Sequence, residues 1–223
     1  MSFKKKMLIS YKYKFIFVHI AKTGGTSIRS ALNRIVLKDP FRWLQMFVNR
    51  ISDLTSHRAG IKIPRHAGIV VAKELLPLDV FNSFFKFAFV RNPWDLQVSS
   101  YHHVMRERPH LLKGIKSFDD FLKFKFEEKR PYHYILDASV RPQWYSLIDV
   151  DGTCLVDFIG RYENLEEDFK KVCKKIGLKK PLPLPHKRKS KRDKDYRKYY
   201  SDKGAELIAK HFAIDIEKFG YEF

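Results

Sequence analysis

The sequence predicts an α/β protein in which a central, mostly parallel sheet is flanked by helices in three layers. Short apolar runs of strand type, at residues 15–20 and 87–90, are each followed by a stretch whose apolar residues recur at helical spacing. Strands that alternate with helices in this way form parallel sheets. With 223 residues and 44% hydrophobic residues, the chain is expected to form one globular domain over residues 1–223.

A loop that contains a lysine and two glycines separates the first strand from the first helix. Glycine allows a tight turn and a close approach of the backbone to a ligand. The first amides of the following helix, and its dipole, favour an anion at this place. The loop therefore predicts a phosphate or sulfate site, and an ordinary turn with a helix cap is the alternative. Its candidate ligands are one ammonium, two glycine backbones and three hydroxyls: Lys22, Gly24, Gly25, Thr23, Thr26 and Ser27.

The order of residues in this loop argues against an ATPase. In that class of loop the lysine follows the glycines and is itself followed by serine or threonine. Here Lys22 comes before Gly24. A nucleotide-dependent kinase would also need an acidic magnesium ligand at a strand end, and the sequence shows no such pattern.

A second candidate anion site follows the apolar run at residues 87–90. Asn92 suits the N-cap of a helix and Pro93 suits its first position, so Arg91 stands where a strand ends and a helix begins. Open α/β sheets bind ligands at this kind of position. Ser99 is about two turns into the helix, so its hydroxyl and Arg91 are expected to share an anion. The alternative is an arginine that pairs with a carboxylate and a solvated serine.

Further patterns predict the remaining elements. Helices are expected near residues 44–54 and 72–85, and a capping box of Ser117 and Asp120 predicts another helix. A turn is expected at residues 150–153. Cys173 lies on the apolar stripe of a predicted helix and is expected in the core. One final helix is predicted from the spacing of Ile208, Phe212, Ile216 and Phe219.

The two anion motifs resemble the sulfotransferases that use 3′-phosphoadenosine 5′-phosphosulfate (PAPS), in particular the carbohydrate branch of heparan 2-O-sulfotransferase-like enzymes and bacterial homologues. In that family a Pro-Lys-Thr-Gly-Gly-Thr-Ser loop holds the 5′-phosphosulfate. A strand that ends in Val-Arg-Asn-Pro-Trp-Asp, with a serine on the next helix, holds the 3′-phosphate. This chain has Ala21 in place of the proline, and Leu96 where the family often has arginine.

The resemblance extends over nearly the whole chain and implies the P-loop-like sulfotransferase fold. Residues 141–143 are similar to the family's Arg-Pro-Gln segment, and residues 157–165 to its late strand-to-helix signature. Arg188 departs from the asparagine that is common there. The C-terminal part of the resemblance consists of residues 184–186, 189–191, 199–200 and 219–221.

The resemblance also implies roles for individual residues. Lys22 would lie at the leaving-group oxygen and, with Thr23 to Ser27, Arg91, Ser99 and Arg161, would hold PAPS and the product 3′,5′-adenosine bisphosphate. Arg161 is otherwise expected to pair with Asp157 or Glu163. His66 is the expected general base, because residues 65–66 resemble the family's basic-histidine segment. The other histidines considered are His102, His103, His186 and His19, the last being expected as a hydrogen-bonded core residue.

The formal net charge of +19 indicates an anionic partner. A nucleotide accounts for part of this charge and an anionic carbohydrate acceptor for more, and no specific nucleic acid is expected. The basic segment at residues 186–198 is expected to close over the cofactor or to bind an anionic acceptor, and a solvated loop is the alternative. A non-enzymatic polyanion-binding protein is the remaining alternative.

The cysteines and the apolar pattern exclude further classes. Cys154 and Cys173 give neither a metal-ligand spacing nor a disulfide framework, and no metal is expected. No apolar stretch is long enough to span a bilayer, and Lys4 to Lys6 precede too few apolar residues for a secretory signal. If Met1 is native, a cytoplasmic location is expected.

Overall fold

The computed structural model describes residues 6–39, 44, 47–48, 62–185 and 192–223. The chain forms two compact units. The first consists of residues 1–20, 24–90 and 146–187, and the second of residues 21–23, 91–145 and 188–223. That the chain acts as a single domain stays a prediction.

The described helices and strands follow one another in the order expected of an α/β protein. They are β1 (Leu8–Ser10), β2 (Phe15–Val18), α1 (Gly25–Val36), α2 (Ile69–Leu75), α3 (Leu78–Ser83), β3 (Phe85–Val90), α4 (Pro93–Glu107), α5 (Phe118–Phe126), α6 (Tyr134–Asp137), β4 (Phe158–Arg161), α7 (Leu165–Lys175), α8 (Asp202–His211) and α9 (Ala213–Phe219). Most of the predicted helix at 44–54 lies outside the described residues, where only Leu44, Phe47 and Val48 are seen as helical.

The first unit contains a four-stranded sheet in the order β1-β2-β3-β4. β1 is antiparallel to β2, whereas β2, β3 and β4 are parallel to one another. The register places Val90 opposite Arg161 at the ends of β3 and β4. The carboxyl ends of these three strands therefore lie at one edge of the sheet, and the predicted mixed α/β fold with a mostly parallel sheet is confirmed.

Aromatic side chains on one face of the sheet form the core of the first unit together with α1 and α7. All four residues of β2 are buried because the strand lies inside the sheet, between β1 and β3. Cys173 is buried here, as predicted. The main contributors to this core are Phe15, Phe17, Phe87 and Phe89 from the strands, Ile28, Ala31 and Leu32 from α1, and Phe169, Val172 and Cys173 from α7.

Strand β3 begins two residues earlier than the apolar run suggested, so the predicted helix at 72–85 was wrong at its end. Pro77 has no amide hydrogen and separates α2 from α3. Lys86 interrupts the apolar pattern but is buried within the strand. Its Nζ donates to the carbonyl of Phe84 at 2.8 Å and pairs with Asp157 at 3.1 Å, which offsets the cost of burial.

In the second unit, α4 and α5 begin as predicted. Asn92 Oδ1 accepts from the amides of Trp94 and Asp95, and Pro93 occupies the first helical position. Ser117 and Asp120 form the capping box of α5. The last predicted helix is instead two helices, α8 and α9, separated by Phe212. The apolar spacing continues through this break, which is why the pattern did not reveal it.

Candidate active site

The loop before α1 has an unusual backbone. Lys22 and Gly24 both adopt the left-handed conformation, with φ of 68° and 79°, and this conformation is uncommon for a residue other than glycine. Gly24 is the N-cap of α1, and its carbonyl accepts from the Ser27 amide at 2.9 Å. Within the described residues no side chain caps this helix, and its first turn carries no acidic residue. The N-terminus of α1 therefore suits an anion.

Both glycines are required by their surroundings. A Cβ on Gly25 would overlap the imidazole ring of His19, so the backbone of the loop lies directly against that ring. A Cβ on Gly24 would come within 3.0 to 3.2 Å of side-chain atoms of Leu165 and Tyr162. The strand-to-helix signature after β4 thus packs against the loop.

His66 is held by the residue that follows β2. Its Nδ1 lies 2.7 Å from the backbone carbonyl oxygen of His19, and the two rings meet edge to face at 4.7 Å. Because a carbonyl oxygen only accepts, Nδ1 of His66 carries the proton and donates. In the neutral ring Nε2 is then the basic nitrogen.

Both histidines are neutral at pH 7. Burial lowers the pKa of His66, and the charges of Arg65 and Arg29 lower it further, although the hydrogen bond to His19 opposes this shift. Burial lowers the pKa of His19 well below its usual value, with His66, Arg65 and Arg29 adding to the effect. His19 is buried as predicted, but its Nδ1 has no hydrogen-bond partner among the described residues. The prediction that His19 is hydrogen-bonded is therefore wrong for its Nδ1.

In the second unit, Arg91 is buried and fixed at several atoms. Nη1 donates to the backbone carbonyl of Lys22 at 2.9 Å, and Nε donates to Asp95 Oδ2 at 2.7 Å. Asp95 also pairs with Arg192 at 2.5 Å. Arg91 is thus paired with a carboxylate, as the alternative interpretation expected. The guanidinium groups of Arg91 and Arg192, however, share that one carboxylate. The cluster of Arg91, Asp95 and Arg192 keeps a net positive charge.

Two other predicted ligands occupy positions consistent with their motifs. Ser99 is half-buried on α4, the helix that follows Arg91. Arg161 ends β4, and its backbone amide donates to Asp168 Oδ2 at 2.8 Å. Asp157, one of the two carboxylates considered as its partner, pairs with Lys86, and the predicted pairing of Arg161 stays a prediction. The anion-binding roles of Ser99 and Arg161 stay predictions.

The remaining candidate histidines have other neighbours. His102 Nε2 lies 3.1 Å from the hydroxyl of Tyr199, and His103 Nδ1 lies 3.2 Å from a guanidinium nitrogen of Arg106. His186 and the first six residues of the basic segment, 186–191, lie outside the described residues. Within its described part, Lys198 pairs with Asp193 at 2.9 Å.

The structure also reveals polar residues to which the sequence analysis gave no role. Lys125 is fully buried, and its Nζ donates to Gln97, Ser100 and Ser139 at 2.5 to 3.0 Å. Burial lowers the pKa of this lysine well below its usual value, and Arg130 and Lys22 add to the shift. The sequence gives no signal for it, because a lysine on an amphipathic helix ordinarily faces solvent. Two further buried polar residues are Gln143 and Asp215.

The chain belongs to the Sulfotransferase family, which it matches over residues 5–222. It is similar to carbohydrate sulfotransferase 10 of Xenopus laevis, with 20% identity over 97% of this chain and 67% of that protein. It is also similar to carbohydrate sulfotransferase 9 of Homo sapiens, with 29% identity over 54% of this chain and 34% of that protein. An uncharacterised protein of Archaeoglobus fulgidus is 38% identical over 53% of this chain and 88% of its own length.

These matches confirm the resemblance noted in the sequence and, with the mixed sheet, the P-loop-like fold that it implied. The chain spans about one third to two thirds of the length of the curated sulfotransferases given above. Among the described residues no helix is both long enough and apolar enough to cross a membrane. In the same part of the chain no three His, Cys, Asp or Glu residues cluster as metal ligands.

Proposed function

We propose that this protein transfers a sulfuryl group from PAPS to a hydroxyl group of a carbohydrate or related acceptor. One observation carries the proposal beyond family membership. Arg91, the residue directly after β3, donates to the backbone carbonyl of Lys22 in the glycine loop after β2. The arginine of one candidate anion motif is thereby bonded to the lysine of the other.

The residues of the glycine loop fit the phosphosulfate group of this donor. The N-terminus of α1 carries no side-chain cap among the described residues, and its first turn has no acidic residue that would repel an anion. PAPS, when bound, supplies the sulfuryl group and a nucleotide bisphosphate as leaving group. Residues 22–27 would hold its phosphosulfate, and Arg91, Ser99 and Arg161 would hold the 3′-phosphate.

Lys22 is proposed to stabilise the negative charge that develops on the leaving phosphate oxygen. Sulfuryl transfer makes the same demands as phosphoryl transfer, namely positioning of the groups and stabilisation of charge. The left-handed backbone of Lys22 belongs to a turn held by Arg91. The ammonium group therefore starts from a fixed backbone, which lowers the reorganisation needed during the reaction.

His66 is proposed as the general base. Its Nδ1 is committed to the carbonyl of His19, so Nε2 accepts the proton of the acceptor hydroxyl as that oxygen attacks sulfur. The lowered pKa of His66 keeps the ring in its basic form at neutral pH. The contact of the His19 ring with Gly25 links the residue that positions the base to the glycine loop.

A carbohydrate acceptor is favoured by the relatives, two of which are named carbohydrate sulfotransferases. The net charge of +19 favours an acceptor that is itself anionic, such as a carboxylated or sulfated glycan. A non-enzymatic polyanion-binding protein would explain the net charge but not the hydrogen bond between Arg91 and the backbone carbonyl of Lys22. The kinase alternative still lacks a lysine after the glycines. The reaction is proposed to need no metal.

The direct experiment incubates the protein with ³⁵S-labelled PAPS and a panel of neutral glycans, anionic glycans and small alcohols. Label is expected to move to at least one glycan with release of 3′,5′-adenosine bisphosphate. His66→Ala should abolish transfer but still bind the bisphosphate. His110→Ala, which alters an exposed histidine, is the matched control and should transfer label normally. Transfer at the wild-type rate by His66→Ala would refute the assignment of the base.

A further inference from the structure

A buried carboxamide holds the backbone of Arg91 from both sides of the residue. Gln143 Oε1 accepts from the Arg91 amide at 2.9 Å, and Gln143 Nε2 donates to the Arg91 carbonyl at 2.8 Å. The side chain of Gln143 therefore pairs with Arg91 as a neighbouring strand would. Only 2% of the surface of Gln143 and of Arg91 is exposed.

A buried carboxylate from the C-terminal helix α9 fixes this carboxamide. Asp215 Oδ2 accepts from the Gln143 backbone amide at 2.8 Å and from Gln143 Nε2 at 3.2 Å, and Oδ1 accepts from the Trp144 amide at 2.9 Å. A carboxylate only accepts, so it defines which end of the Gln143 carboxamide is the donor. Asp215 is fully buried, and no other orientation of the carboxamide satisfies both Asp215 and Arg91.

We infer that Gln143 and Asp215 are positioning residues that set Arg91 for recognition of the donor's 3′-phosphate. The inference rests on the proposed function, since it concerns the same donor. Neither residue needs to contact the nucleotide. They act through the backbone of Arg91, which cannot rotate without breaking buried hydrogen bonds. This fixed backbone defines the position from which the guanidinium group extends.

The side chain of Arg91 is set by a separate group of contacts. Asp95 holds Nε and Nη2, and the Lys22 carbonyl holds Nη1. Gln143 and Asp215 thus fix the main chain of Arg91, whose side chain is already oriented by these other contacts. Because a preorganised arginine loses less freedom when it binds phosphate, loosening its backbone should cost affinity for the 3′-phosphate specifically.

The experiment compares two nucleotides that differ by one phosphate. 3′,5′-Adenosine bisphosphate carries the 3′-phosphate and 5′-AMP lacks it, so the ratio of their dissociation constants reports recognition of that group. Asp215→Asn replaces an acceptor oxygen by a donor that faces amide N–H groups. The ratio is expected to fall by about tenfold, mainly through weaker binding of the bisphosphate, the loss expected when buried charge-assisted hydrogen bonds are removed.

A second variant keeps the test decisive if Asp215→Asn fails to fold. Gln143→Leu removes the clamp on Arg91 but leaves the two backbone amides that donate to Asp215. It should lower the ratio in the same direction. Asp39→Asn is the matched control, because Asp39 is 1% exposed and accepts from Ser10 and Lys12 in the first unit. It should lose stability without a change in the ratio.

The outcomes separate the inference from the proposed function. If wild-type protein prefers the bisphosphate but both variants keep the wild-type ratio, or lose affinity for both nucleotides equally, the positioning role is overturned. If wild-type protein shows no preference for the bisphosphate over 5′-AMP, the proposed donor is wrong.

Discussion

Lys22 and Gly24 place two left-handed residues on either side of Thr23. Glycine adopts this backbone at little cost, whereas a lysine there loses roughly 1 to 2 kcal/mol. Such a residue persists only where its surroundings hold it. The Arg91 guanidinium, which donates to the Lys22 carbonyl, is one such contact. The strain at Lys22 and the burial of Arg91 therefore belong to one arrangement.

Replacement of this lysine tests its proposed role in charge stabilisation. Lys22→Ala should lower turnover by a factor of about 10² to 10³, because a preorganised group that faces developing charge contributes this much to the rate. Thermal unfolding should change little, because the half-buried side chain is removed without disturbing the core. Lys113→Ala removes an exposed lysine and is the control. Near-normal turnover of Lys22→Ala would contradict the assignment.

The pH profile tests His66. Its pKa is lowered by burial, so the basic form persists below the ordinary value of about 6.5. A general base works when deprotonated, so kcat/KM should be level above pH 6.5 and decline only as the pH falls through the lowered pKa. Steady-state rates between pH 5 and 8 measure this. A decline that begins above pH 7 would indicate a different base.

The sequence motifs correctly predicted where helices α4 and α5 begin, because helix-capping signals lie within a few residues of the helix start. Asn92 and Pro93 start α4, and Ser117 starts α5, as their side-chain chemistry requires. Features that depend on distant partners were not predictable. Lys86 is accommodated within β3 because its ammonium pairs with Asp157, a residue far along the chain. The sequence next to a buried lysine does not indicate which distant residue will pair with it.

In the candidate site too, features with local sequence signals were predicted and features that depend on tertiary contacts were not. The sequence located Lys22, Arg91 and Arg161 at or near strand ends, since the apolar runs before them were easy to recognise. It could not reveal that the ring of His19 packs against Gly25, or that Asp215 orients Gln143, 72 residues earlier in the chain. These contacts arise from tertiary packing. The roles of the predicted ligands stay predictions.

Packing of the glycine loop against His19 yields a prediction for the turn between β2 and α1. Gly25→Ala should lower the melting temperature and transfer activity, because the added methyl group overlaps the His19 ring. Differential scanning fluorimetry and the labelled-donor assay measure both effects. The double variant His19→Ala with Gly25→Ala removes the overlap and should recover part of the stability. A single variant as stable as wild type would contradict the close approach seen here.

Gly114→Ala serves as the control for that change. Gly114 has a φ of 88°, but an added Cβ would meet no atom within 4 Å. It should cost only the backbone strain of about 1 kcal/mol, with activity kept. A greater loss for Gly25→Ala than for Gly114→Ala would therefore report the overlap rather than the strain.

For the whole molecule, the two neutral histidines predict how stability depends on pH. The pKa values of His19 and His66 are lowered in the folded state, so the unfolded chain binds more protons as the pH falls below about 6.5. Their contribution is fully present above that pH and is lost as the pH falls toward the lowered pKa values. Each adds a slope of up to about 1.4 kcal/mol per pH unit to the free energy of unfolding.

Urea unfolding between pH 5 and 7.5 measures this slope. His19→Phe keeps an aromatic ring against Phe17 and removes one titrating group, so its stability should depend less on pH than that of wild-type protein. An identical slope in the variant would show that His19 is not held neutral in the folded state.

Residues 22–27 and Arg91 are proposed to bind an adenosine nucleotide that carries phosphate on its 3′-oxygen. Isothermal titration of the protein with 3′,5′-adenosine bisphosphate, and separately with ATP and magnesium, measures this specificity. The bisphosphate is expected to bind at least about tenfold more tightly than ATP, a difference of about 1.4 kcal/mol in binding free energy. Equal or tighter binding of ATP with magnesium would contradict it.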